Sequence, residues 1–196
     1  MPFPGGLIAG TDEAGRGPLA GPVVAAAAVL TDEQSELLLS SGLNDSKKLT
    51  AKRREALFSQ MCGMGVLWRA QAASPHVIDR INILQASLWC MKRALLRLPE
   101  APALVLVDGN VLIPGLELRQ EAIVKGDSRV PAIAAASVVA KVLRDRVMTV
   151  MDRIYPQYGF AKHKGYPSAL HISRIAEYGP LPIHRLSFRG VASVGR

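Results

Sequence analysis

Four carboxylates in this chain stand where catalysis is convenient: Asp12 and Glu13 side by side, then Asp108 and Asp127. They follow apolar runs and sit close to glycine, in "LIAGTDEAGRGPLAG" (7–21), "ALVLVDGN" (103–110) and "EAIVKGDSR" (121–129). In open sheets, binding sites gather outside the strand ends. If these ends converge, the acids share one small site, and their mutual repulsion calls for a cation among them. Oxygen ligands without nitrogen or sulfur suit Mg2+ or Mn2+. Two such ions roughly 4 Å apart can activate water and stabilise a leaving oxygen, which is phosphoryl-transfer chemistry. Zinc does not fit, because His76, His163, His171, His184, Cys62 and Cys90 show no ligand spacing. Taken singly, Asp108 and Asp127 read more simply as turn residues, since Asp bonds to nearby backbone after a strand. For Asp12-Glu13 that reading is weaker. Neighbours on a strand point to opposite faces, so the pair converges only where the strand breaks.

The elements that must position these acids follow from patterning. Residues 7–12, 22–30 and 66–74 read as strands, the first two as a hairpin-like antiparallel pair. "TAKRREALFSQMCG" reads as a helix capped by Thr50 and ended by Gly63. A long helical region is predicted after Ser74-Pro75, with Leu84, Leu88, Met91, Leu95 and Leu98 on its core face and Pro99 ending it. Strands at 103–110 and 121–129 follow, and then a helix of about 20 residues after Pro131. On that helix Ser137, Lys141, Arg144, Asp145, Thr149 and Asp152 gather on one polar side. Lys141 and Asp145 are spaced to pair, and Asp145, flanked by Arg144 and Arg146, reads as an exposed structural acid worth under about 1 kcal/mol. The tail predicts short helices packed as an appendage. The order implies a mixed α/β sheet covered by helices.

Composition narrows the partner. The chain has 196 residues, 49% of them hydrophobic, and carries 24 Lys and Arg against 16 Asp and Glu, a net charge of +8. That balance favours a polyanion, nucleic acid before membrane. The longest apolar run, "VVAAAAVL", is eight residues, far short of the roughly 18 that span a bilayer. The N-terminus has no secretory pattern and two cysteines make no disulfide framework, so a cytoplasmic protein is expected. "GRGPLAG" approximates a dinucleotide-binding fingerprint, but its GxGxxxG spacing, with Pro18 and Pro22, opposes the helix that should receive a pyrophosphate.

Together "GTDEAGRGPLAGPVV", "GLNDSKKL", "VDGN", "VKGDSRVPAIAAASVVAKVLRDR" and "YPQYGFAKHKGYP" resemble the bacterial type 2 ribonucleases H, the ribonuclease HII family, in the family's order from about Leu7 to Phe188. The resemblance implies a ribonuclease H-like fold with a mixed five-stranded sheet over residues 1–155 and a helical C-terminal extension over 156–196, packed on the same domain. It implies a metal-dependent endonuclease that cuts the RNA strand of RNA/DNA hybrids and single ribonucleotides embedded in duplex DNA. Cleavage on the 5′ side of the ribonucleotide leaves 3′-hydroxyl and 5′-phosphate ends. Asp12, Glu13, Asp108 and Asp127 are then the catalytic, metal-binding acids, with Mn2+ or Mg2+, two ions during catalysis. Gly15, Arg16 and Gly17 contact the ribonucleotide and its 2′-hydroxyl, where a Cβ would obstruct approach. Tyr166 packs on the sugar next to the junction. Asn44, Ser46 and Lys47, in "NDSKKL", suit phosphate contacts that position a duplex, while Lys48 reads as readily as a solvated loop residue. A monomer is expected. A related nuclease acting on DNA junctions explains the acids but not the GRG loop and Tyr166. A non-catalytic nucleic-acid binding module of the same fold would be expected to lose acids, and all four are present.

Overall fold

The computed structural model describes residues 6–44, 46 and 49–191. Five strands form one mixed sheet in the order β3-β2-β1-β4-β5. They are β1 (Ile8–Ala14), β2 (Val23–Val29), β3 (Leu67–Ala73), β4 (Leu104–Asp108) and β5 (Gln120–Ile123). β1, β2 and β3 pair antiparallel, while β1–β4 and β4–β5 are parallel. The parallel pairs bring the C-terminal ends of β1, β4 and β5 to one edge of the sheet. That edge carries the acids.

Seven α-helices cover the described chain: α1 (Asp32–Ser40), α2 (Ala51–Gly63), α3 (Pro75–Ile81), α4 (Ile83–Leu95), α5 (Pro131–Ile154), α6 (Phe160–His163) and α7 (Ala169–Tyr178). α4 buries Leu88, Met91 and Leu95 against Ala25, Ala27 and Val29 of β2. α5 and α2 pack on the opposite face against Ala26 and Ala28. Small residues on both sides let α5 lie very close to the sheet. At Gly10 a Cβ would stand 2.3 Å from the Ala132 carbonyl carbon and the Ile133 nitrogen, so only glycine admits the first turn of α5 to β1.

Three expectations change. α1 is additional to the elements that patterning predicts, although Thr31 and Gln34 form a reciprocal capping box, a spacing legible in "TDEQ". The long helix after Pro75 is two helices, broken at Asn82, whose φ of 65° is left-handed and whose side chain caps α4 through the Gln85 amide. Leu98 is buried, but it lies beyond the end of α4. The third change concerns β1, which continues through Ala14 because Glu13 and Ala14 stay paired with Ala25 and Val24. Asp12 and Glu13 therefore occupy a continuous strand and point to opposite faces. Among the described residues no helix is long and apolar enough to cross a membrane.

The described tail closes over a third core of Leu19, Ala20, Met148, Tyr158, Phe160, Ile175 and Val191. Inside it, burial pushes the imidazoles of His171 and His184 down to about 4 from an ordinary 6.5. Both are therefore neutral in the fold, whereas the unfolded chain takes up protons near pH 6.5. Their contribution to stability is complete above that pH and is lost as pH falls towards 4. Each histidine is worth about 1.36 kcal/mol for every pH unit fully inside this interval. Melting temperatures of Asp12→Asn protein, in which the buried acid no longer offsets the trend, should fall from pH 7 to pH 5. A flat or rising profile would contradict the assignment.

Candidate metal centre

Asp12, Asp108 and Asp127 each offer a carboxylate oxygen, and these oxygens lie within 4.8 Å of one another. The sheet sets this up directly. Thr11 is opposite Val107 in the β1–β4 ladder, so Asp12 and Asp108 stand one step further along neighbouring strands. Asp108 in turn is level with Ile123. Beyond β5 the chain turns through Lys125, at a left-handed φ of 56°, into a 3-10 turn at Gly126–Ser128. This turn presents the Asp127 amide to Asp108 Oδ1 at 3.3 Å. A Cβ on Gly126 would stand 2.5 Å from Ile133 Cδ1 and 3.3 Å from Asp108 Oδ1. Glycine there lets the Asp127 turn settle against both β4 and α5.

Asp12 is only 2% exposed. Its Oδ1 accepts the Glu13 amide at 2.6 Å, and its Oδ2 is buried with no hydrogen-bond partner. The nearby Ser137 hydroxyl, 2.7 Å from that of Ser46, acts in the opposite direction to burial and favours the ionised form of Asp12. Burial above all, then the charges of Glu13 and Asp108, hold the Asp12 carboxyl well above the usual carboxylate range. An unpartnered buried carboxylate oxygen between two further acids costs free energy unless a cation meets it. The donor set is all oxygen, so a hard divalent ion fits.

Glu13 is set apart from this trio. It faces the α4 side of the sheet, in a cleft of about 140 Å³ lined by Arg16, Ser87, Asp108, Gly109 and Asn110. Its carboxylate meets Arg16 at 3.5 Å. On the other side a second cleft, about 180 Å³, is lined by Asn44, Asp127, Ser128, Arg129 and Pro131. The acids thus sit between two openings.

The glycine-rich loop leaves β1 beside the acids. Gly15 adopts a φ of +101°, and a Cβ there would lie 2.1 Å from Arg144 Nε and 2.9 Å from the Pro22 oxygen. Its glycine is thus required by the protein itself, as well as by any approaching nucleotide. At Gly17 a Cβ would meet only the Tyr166 ring, at 3.7 Å. Arg16 projects outward, half-exposed, between them. Tyr166 is 42% exposed, with Lys141 Nζ and Arg144 Cζ 5.7 and 5.9 Å from its ring centroid. Asn44 is exposed at the second cleft. Ser46 turns inward to Ser137 instead of presenting its hydroxyl to solvent. Lys47 and Lys48 lie outside the described residues.

Two arginines that patterning did not single out as functional hold this loop from beneath. Arg144, placed by periodicity on a polar face, is fully buried and donates to the carbonyls of Ala20, Pro22 and Lys164 at 2.9–3.0 Å. Arg185, also fully buried, donates to Gly15 at 2.6 Å and to Arg16 and Gly21 at 3.0 Å. Burial, and then the Arg144 charge, lowers Arg185 to about 9. It still carries its proton at neutral pH, so two cations underlie the loop.

Asp145 also differs from the exposed acid expected. Its side chain is 16% exposed, and it accepts from Lys141 at 2.8 Å and from Arg54 at 3.3 Å. Arg54 in turn holds the carbonyls of Ser46 and Leu49, at 2.9 and 2.5 Å. Asp145→Asn should therefore cost about 2 kcal/mol, since it removes the charge that two part-buried cations, Arg54 and Lys141, share. Urea denaturation checks this, and a loss under about 0.5 kcal/mol would return Asp145 to the surface-pair value.

Residues 9–191 match the family model described as Ribonuclease HII. A ribonuclease HII of Shewanella baltica is 51% identical over 199 residues, covering 99% of this chain and 93% of that protein. One of Delftia acidovorans is 54% identical over 191 residues, covering 97% and 79%. The crystal structure of ribonuclease H2 from Pyrococcus horikoshii superposes with a TM-score of 0.81 at 29% identity, covering 96% of each chain. A carboxylate cluster at the converging ends of a mixed five-stranded sheet and a sequence match across nearly the whole chain point the same way: the chain belongs to the ribonuclease HII family, endonucleolytic hydrolases of the ribonuclease H type.

Proposed function

We propose that the protein cuts the RNA strand of RNA/DNA hybrids and single ribonucleotides embedded in duplex DNA, 5′ of the ribonucleotide, leaving 3′-hydroxyl and 5′-phosphate ends. The observation that carries this reading is the adjacency of the acid trio, the GRG loop and an exposed Tyr166 on one edge of the molecule. Asp12, Asp108 and Asp127 hold the metal, and Glu13, on the neighbouring face, completes the acidic set. Bound Mg2+ or Mn2+, two ions during catalysis, supplies the charge that activates water and offsets the leaving oxygen. The protein's own groups do the positioning. The loop backbone at Gly15, Arg16 and Gly17 meets the ribose and its 2′-hydroxyl. Tyr166 covers the sugar next to the junction, while Asn44 and Lys47 reach phosphates and Ser46 bonds inward to Ser137. The enzyme works as a cytoplasmic monomer.

A gel assay on a duplex with one ribonucleotide, with and without Mg2+ or Mn2+, tests the reading. The ribonucleotide duplex should be cut only with metal, and an all-DNA duplex of the same sequence should survive. Tyr166→Ala should weaken cleavage most on the single-ribonucleotide substrate. Comparable cutting of both duplexes would overturn the assignment.

A further inference from the structure

The segment that carries Tyr166 rests on three histidines that neither the acids nor the loop accounts for. His171 and His184 are essentially unexposed. His163 stacks on His171 with ring centroids 4.4 Å apart, and Phe160 meets the His171 ring edge-on at 5.5 Å. Their hydrogen bonds admit one arrangement of protons. The Leu181 amide donates to His184 Nδ1 at 2.8 Å, so that nitrogen offers a lone pair. The His184 proton then sits on Nε2 and points at His171 Nε2, 3.1 Å away. His171 must accept there, which leaves its own proton on Nδ1, donated to the Tyr166 carbonyl at 3.0 Å. His163 obeys the same logic, with Nδ1 accepting from the Gly165 amide and Nε2 donating to the Tyr158 carbonyl. Every nitrogen of the three rings is used.

This relay runs one way, from the Leu181 backbone through two rings to Tyr166. We propose that His171 is a positioning residue for the substrate site: it fixes the backbone that aims Tyr166 at the sugar. The inference rests on the proposed role of Tyr166. The segment it controls is held besides by Arg144 at the Lys164 carbonyl and by the bonds of the Gly165 amide to His163 Nδ1, the Tyr166 amide to the His163 carbonyl, the Ser168 amide to the Tyr166 carbonyl, and the Leu19 amide to the Gly165 carbonyl, whereas His171 is the side chain that bonds Tyr166 itself. The Leu19 bond ties it to the chain leaving the GRG loop. A proton added to His171 Nε2 would face the His184 Nε2 proton, so the relay has no second satisfied state. Around it stand His163 and Tyr158, whose hydroxyl donates to Gly179. Neither is an anion that would welcome the added charge. The low values of both imidazoles agree with this arrangement.

The experiment compares His171→Leu, which removes both ring contacts, with His171→Asn, whose amide nitrogen can occupy the place of Nδ1 and donate to Tyr166. Amide hydrogen exchange of residues 164–168 reads positioning directly. kcat/KM on a single-ribonucleotide duplex with Mg2+ reads its consequence. His171→Leu should speed exchange in that segment and lower kcat/KM at least about tenfold, and His171→Asn should recover most of both. The double variant His171→Leu/Tyr166→Ala should be no worse than Tyr166→Ala alone, since the histidine acts through the tyrosine. Unchanged exchange in His171→Leu, or losses that simply add in the double variant, would overturn the proposal. Faster exchange with full activity in both His171→Leu and Tyr166→Ala would instead refute the role given to Tyr166.

Discussion

Asp12→Asn should abolish turnover while raising the melting temperature of the metal-free protein. The substitution keeps the shape of the side chain and its acceptor for the Glu13 amide. It removes a charge that burial and the neighbouring Glu13 and Asp108 disfavour. The sign follows from linkage. A carboxyl whose value is raised in the fold makes the folded state less stable as pH rises above the ordinary carboxylate range, so at neutral pH Asp12 opposes folding. Asn cannot ionise, and that opposition disappears. With metal the order reverses. An ion bound only by the folded state adds about 2.7 kcal/mol at a concentration 100 times its dissociation constant, and the variant should lose most of that gain. Partners that merely orient metal ligands cost 10–100-fold when removed, so loss of a ligand should exceed about 100-fold in kcat. Asp127→Asn should behave alike in turnover. Thermal melts with and without Mn2+, read beside single-turnover cleavage, check all of this. An Asp12→Asn protein that melts lower than wild type without metal and keeps its Mn2+ shift would show that the trio is not the metal site.

Arg185→Met carries the second large effect, and here stability falls first. Methionine fills much of the volume but donates nothing, leaving the carbonyls of Gly15, Arg16 and Gly21 without their guanidinium. A buried polar group stripped of its partner costs about 1–3 kcal/mol. Relief from burying a guanidinium with no carboxylate partner among its three bonds offsets part of the total. A net loss of roughly 3 kcal/mol is expected, a large share of the 5–15 kcal/mol that holds a domain together. Arg185→Lys should recover little, because one ammonium cannot reproduce three donors in a planar fork. At temperatures where Arg185→Met remains folded, cleavage of a single-ribonucleotide duplex should still be impaired, since the loop that meets the ribose has lost its support. Urea denaturation at 25 °C and cleavage assays on Met and Lys variants test the two parts. A change below 0.5 kcal/mol in both would mean that the loop holds itself.

Much of this site is written locally. Asp12, Asp108 and Asp127 each follow an apolar run beside turn residues, and parallel pairing of β1, β4 and β5 carries those ends together, as the order of runs implies. Gly15, Gly17 and Tyr166 stand in short motifs and are indeed neighbours in space. The five-stranded mixed sheet, the cap at Thr50 and the Lys141–Asp145 pair follow from spacing in the same way.

Other features depend on partners far away in the chain. Whether Asp12 and Glu13 share a face turns on where β1 stops, and the pairing of Glu13 with Ala25 and of Ala14 with Val24 carries it past both acids. Helical spacing put Arg144 among polar residues on an outer face, but the tail covers that position and turns it into a buried clamp. The hydrogen bonds of Arg185 and Arg144 run to main-chain carbonyls, and a carbonyl is the same group whichever side chain stands beside it. His171 reaches Tyr166 likewise through a carbonyl. Acids that must meet a cation leave a chemical mark in the sequence, because their side chains do the work. Contacts between a side chain and distant backbone mark only one partner, so the amino-acid order determined the chemistry of this site while the packing of the tail against β1 and α5 decided what holds it in place.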